Sequence, residues 1–177
     1  MTQLIDPCYL MFSKLPTMTV QLQCIYDMLN KSYKKVLCQT RDLRGDTFLI
    51  FSVVTIIGPL NIICTCDELY RLSVSNAHYV TSNINSVLNF IKLCEQPDDE
   101  RWRLHRSLER TGSLYKHNLY TERSDFILIH DHVRIIIAIM FTNDRISKII
   151  IESPRLRSTC KDTSKILPIL AHHLNYY

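Results

Sequence analysis

Glycine is nearly missing from this chain, with three in 177 residues. That scarcity leaves no room for a glycine-lined phosphate loop, and neither GxGxxG nor GxxxxGKS/T occurs anywhere, which argues against a nucleotide-binding enzyme. Signatures of nucleophilic or metal-assisted hydrolysis, GxSxG and HExxH, are missing as well. The first twenty residues hold Asp6, Pro7, Lys14 and Pro16 instead of an uninterrupted apolar core, so no secretory signal is read there. Seven cysteines, an odd number, without such a signal suggest reduced thiols. The expected location is intracellular.

Charge is locally missing too. Thr47 to Cys66, TFLIFSVVTIIGPLNIICTC, has no charged residue, in a chain that is 21% charged overall. A membrane-spanning helix needs about 20 apolar residues. Here Gly58-Pro59 breaks the stretch and Ile, Val, Thr and Phe dominate it, so two buried strands at 47–57 and 60–66 are expected and no transmembrane span. On that reading Ile56→Asp would bury a charge.

What is present is a mostly apolar chain, 46% hydrophobic, long enough for one core. Prolines at 7 and 16 mark residues 1–16 as an arm, leaving 17–177 as a single core domain. Thr17 to Gln23 alternates like a strand. A helix is expected from Ile25 to Gln39, with Gly45 as its stop signal, and Leu69 to Val74 reads as a further strand. Asn83 is a suitable N-cap for a helix running to Gln96, which Pro97 ends. Asp98-Asp99-Glu100 places acids at the start of a second helix, Glu100 to Arg110, closed by Gly112. Phe126–Ile129, Val133–Phe141 and Ile146–Glu152 then form a three-stranded meander around Thr142-Asn143-Asp144-Arg145 turn chemistry. Ser164 to Asn175 is a terminal helix. The fold class expected is α+β, a single domain with an antiparallel sheet packed by helices, and no internal repeat is read.

Candidate chemistry is sparse. Cys64-Thr65-Cys66 has no matching second pair, so these are read as core thiols sharing one strand face rather than metal ligands. His130-Asp131-His132 reads as a solvated turn. No catalytic residue, metal or cofactor is assigned, and the chain is expected not to be an enzyme. Basic residues cluster three times: Lys31, Lys34 and Lys35; Arg103, Arg106 and Arg110 at i, i+3, i+7 on a helix; and Arg145, Lys148, Arg155 and Arg157 in a segment with a local excess of positive charge. The formal net charge is +4 and the pI about 8.7. Together these patches are candidates for binding a polyanion.

MTVQLQ followed by a helix, then FLIFSVVTII, and later VRIIIAIMF-TND-RISKIII resemble in order and spacing the compact core of rhabdovirus matrix proteins, the small plant-infecting kind. PPxY and PTAP budding motifs and a lysine-rich tail are missing. The resemblance implies a viral structural protein that self-associates, contacts anionic membrane and condenses ribonucleoprotein, with no small-molecule substrate. Two alternatives stay open: a small RNA-binding viral protein such as a suppressor of RNA silencing, and a nuclear-transport-factor-2-like ligand-binding or enzyme domain using Asp131 or His132.

Overall fold

A computed structural model describes residues 10–177. The nine residues before them, most of the expected arm, lie outside the described residues. The elements run α1 (Thr19–Ser32), β1 (Leu37–Leu43), β2 (Asp46–Val54), β3 (Pro59–Thr65), β4 (Tyr70–Val74), β5 (Ala77–Thr81), α2 (Ile84–Cys94), α3 (Glu100–Arg110), β6 (Leu114–Leu119), β7 (Arg123–His130), β8 (Val133–Thr142), β9 (Arg145–Glu152), β10 (Arg157–Cys160) and α4 (Ile166–Tyr176). No helix among them is long and apolar enough to cross a membrane.

The expectation of a purely antiparallel sheet is corrected. Ten strands are ordered β1 to β10, and β5 joins β6 in parallel through Ala77↔His117 and His78↔Asn118, so the sheet is mixed. Parallel neighbours need a long crossover, and the α2–α3 stretch supplies it. Both of those helices are legible from caps and prolines. The pairing they permit is not, because two ladder residues leave no pattern in sequence. The late meander itself forms as expected, extended by β6 on one side and β10 on the other.

The described residues cluster into two compact units, one comprising 10–75 and 79–97, the other 76–78 and 98–177. The first contains α1, the strands β1 to β4 and α2; the second contains α3, β6 to β10 and α4. Each therefore runs helix, antiparallel meander, helix. The order of elements repeats where the residues do not.

In the first unit Leu22, Ile25, Tyr26 and Leu29 are buried at helical spacing, which makes α1 start at Thr19 and overrides the strand-like alternation of TMTVQLQ. The helix then stops at Ser32, not at Gln39, and Leu37 to Leu43 becomes β1. Gly45 ends no helix: Arg44 and Gly45 form the β1–β2 turn with φ of 53° and 84°. Positive φ at both central residues is the hairpin geometry that matches strand twist. Asp131-His132 and Asn143-Asp144 repeat it between β7 and β8 and between β8 and β9. The charge-free stretch forms β2 and β3 as read, but Ile56 sits in the connection between them and is 81% exposed, so the expectation that Ile56→Asp buries a charge is also corrected.

Candidate polyanion-binding face

Strand alternation sorts every side chain of a meander onto one of two faces. In the second unit, the cross-strand row His117–Phe126–Ile137–Ile151–Ser158 is fixed by register. α3 covers it at His117, where Trp102 and His105 pack, and α4 covers it at Ser158, whose Oγ lies 2.9 Å from His173 Nε2. Leu104 and Leu108 of α3 and Ile166 and Leu170 of α4 belong to the same core as Phe126, Leu128, Ile135 and Ile137. Both helices thus lie on one side.

The opposite face has no helix over it among the described residues. Its rows read Lys116–Ile127–Ile136–Glu152–Arg157, then Asn118–Asp125–Ala138–Ile150–Thr159, then Arg123–Met140–Lys148. Arg134 continues β8 at one end opposite Ile129, and Arg145 lies opposite Thr142 at the other. A half-buried aliphatic centre is therefore rimmed by cations. Arg123 Nε donates to Asp125 Oδ1 at 2.6 Å, and Arg157 lies 3.9 Å from Glu152.

The first unit is built alike. Leu49, Phe51 and Val53 are buried, Phe51 beneath Phe12 and Tyr26, while Phe48, Ile50, Ser52 and Val54 face the other way. Register places Arg41 beside Phe48 and Arg71 beside Ile63 on that bare face. Over both bare faces the strands present eight bases, Arg41, Arg71, Lys116, Arg123, Arg134, Arg145, Lys148 and Arg157, against Asp46, Asp125 and Glu152. That excess of five is larger than the +4 of the entire chain.

The sequence-derived candidates divide accordingly. Arg145, Lys148 and Arg157 lie on the bare face. Arg103 and Arg110 are exposed and Arg106 half-buried on α3, which packs on the other face. Lys31 is in the last turn of α1; Lys34 and Lys35 lie between α1 and β1, where they line a cavity of about 400 Å³ with Tyr33, Leu37, Val54 and Pro59. Arg155 is exposed, its amide donating to the Tyr177 hydroxyl at 2.8 Å. Arg41, Arg71, Lys116, Arg123 and Arg134 escape a search for clustered charge. Their signal is a base on the polar beat of a period-two pattern, as in VRIIIAIMF.

Histidines form the other polar features. His105 and His117 are 1% and 0% exposed with their Nδ1 atoms 3.1 Å apart, so one ring donates to the other. Neither Nε2 atom has a hydrogen-bond partner; His105 Nε2 is 3.8 Å from Glu109, an electrostatic rather than a bonded distance. Burial holds both imidazoles below their ordinary pKa, His117 well below, with His105, Arg101 and His78 adding to the effect on His117. His173 is buried too but satisfied, with Ser153 Oγ 2.7 Å from Nδ1 and Ser158 Oγ on Nε2. His130, Asp131 and His132 are an exposed hairpin turn, and Cys66 lies beyond the end of β3, exposed, while Cys64 is buried, so the two do not share a strand face. Compared with protein-family models, curated proteins and solved structures, the chain matches none.

Proposed function

We propose that this chain binds RNA rather than catalysing a reaction, using the bare faces of its strands. Of the readings open from the sequence, the RNA-binding one draws the most support. The observation that carries it is the segregation of positive charge: the bare strand faces hold a larger excess than the whole molecule does. Phosphate contacts from scattered lysines and arginines supply sequence-independent affinity, and a platform of half-buried side chains such as Phe48, Ile50, Ile127 and Ile136 offers surface on which bases can lie. Bidentate arginine geometry favours phosphate oxygens.

Binding of a labelled 20-nucleotide RNA, followed by anisotropy at two salt concentrations, tests this. Changing Lys116, Arg134 and Lys148 together to Glu should weaken binding at least tenfold at low salt. For single strands, each lost phosphate contact lowers the salt slope by about 0.7. Arg103, Arg106 and Arg110 changed to Glu on α3 should have the smaller effect. The reverse ranking would move the site to the helices. Binding to acidic liposomes without binding to RNA would replace RNA by a membrane surface, as the matrix resemblance implies.

A further inference from the structure

The first strand of the sheet stands apart from the last. β10 is a four-residue edge, introduced by Pro154 and followed by Lys161, which are devices that discourage pairing. β1 has seven residues, no proline, and pairs only with β2, so its outer backbone groups face no other strand among the described residues. Two of its leucines, Leu37 and Leu43, are 46% and 62% exposed. Leu37, Gln39, Arg41 and Leu43 share one face, that of Phe48 and Ile50.

We propose that β1 pairs with β1 of a second copy of this chain, antiparallel and centred on Thr40. LCQTRDL is self-complementary in that register. Leu37 comes opposite the partner's Leu43, Gln39 opposite the partner's Arg41, Cys38 opposite the partner's Asp42, and Thr40 opposite the partner's Thr40. Each of these contacts is made twice except the Thr40 pair, which lies on the axis, as a twofold interface requires. Directly opposed side chains lie about 5 Å apart, within contact for the leucines and within hydrogen-bonding reach for the threonines. Keeping the helices of both copies on one side demands a centre at a residue, not between two. Centring on Arg41 opposes two guanidinium groups; centring on Asp42 opposes two carboxylates; centring on Gln39 shortens the overlap and sets Leu37 against the partner's Arg41. Thr40 alone gives full overlap with no like charges opposed.

Pairing through β1 is independent of RNA binding, and sedimentation of the chain alone tests it. A single strand pair is a small interface, so a weak, concentration-dependent dimer is expected, on the order of micromolar or weaker. Sedimentation equilibrium of the full chain should show it. Leu37→Glu with Leu43→Glu opposes carboxylates at both ends and should leave a folded monomer by circular dichroism. Leu37→Lys with Leu43→Glu should restore the dimer, now weakened by high salt, because each lysine then faces a carboxylate. Thr40→Cys should crosslink on oxidation, whereas Gln39→Cys, displaced by two residues from its own copy, lies too far to bridge. A wild type that stays monomeric at high concentration overturns the proposal. So does a double-glutamate variant that dimerises as before, or a lysine–glutamate variant that stays monomeric.

Discussion

Isoleucines 56 and 62 differ by six positions and have opposite fates. Ile62 is fully buried on β3 whereas Ile56 projects from the β2–β3 connection. Ile62→Ala should cost about 2–5 kcal/mol and Ile56→Asp less than about 0.5 kcal/mol, measured by urea denaturation. Sequence showed that this stretch contains strands, but which residue of a long apolar run turns outward at the hairpin was set by the Thr55–Gly58 bonds, where Gly58 O accepts from both the backbone N and the Oγ1 of Thr55. The buried histidines are a second consequence at this scale. Because the folded pKa values of His105, His117 and His173 are lowered, the unfolded chain binds more protons below about pH 6.5. Stability should therefore be level above that pH and fall as pH drops below it. Arg101, Arg106 and Glu109 on α3 and His78 on β5 are the charges and titrating groups that bear on the pair. Trp102, the one tryptophan, packs edge-on against both rings and reports the transition. Its urea midpoint should be lower at pH 5.5 than at pH 7.5, and His117→Asn should flatten part of that difference. Sequence could not pair these histidines, twelve residues apart in different elements.

The ends of α2 and α3 were the most legible, those of α1 the least. Asn83 caps α2 by accepting from the Asn85 amide at 2.8 Å, and Asp99 caps α3 by accepting from Arg101 N at 2.9 Å. These signals are local, so they can be read without knowing the fold. Strand beginnings at β1 were not legible, because Val36 and Leu37 fit a helical stripe as well as a strand, and only pairing with β2 decides between them. That pairing depends on the turn. Gly45 has φ of 84° and open space around its α-carbon, so Gly45→Ala meets no clash but must hold a left-handed backbone. The expected cost is about 1 kcal/mol, with Gly45→Asn costing less, both read as shifts in denaturation midpoint. A larger loss would mean that the β1–β2 hairpin supports more of the first unit than its exposed position suggests.

For the whole molecule, the repeated order of helix, meander and helix was invisible because the two halves share element types but not residues. One of the segments behind the matrix resemblance, TMTVQLQ, is helical rather than extended, which removes a strand from that comparison. The bare faces were half legible: clustering found Arg145, Lys148 and Arg157, and alternation would have found Arg134. If β1 joins two copies as proposed, their bare faces belong to one assembly and a long RNA can engage both. The wild type should then bind a 60-nucleotide RNA more tightly than a 15-nucleotide one by more than the ratio of lengths, through effective concentration. The Leu37→Glu, Leu43→Glu variant should lose that advantage and keep its affinity for the short RNA. Equal length dependence in both proteins would separate RNA binding from dimerisation.

The parallel step between β5 and β6 bears on the order in which the chain folds. Every other ladder joins neighbours through a short connection, with small loop-closure entropy, and can form within one hairpin. The Ala77↔His117 pairing, backed by the His117 amide donating to Asn76 O at 2.8 Å, must instead wait until forty residues have been drawn together. Contacts of high sequence separation slow folding, so this ladder is the last to close. Substitutions at Asn118 should then leave the folding rate nearly unchanged and speed unfolding, whereas substitutions in the β8–β9 hairpin should slow folding.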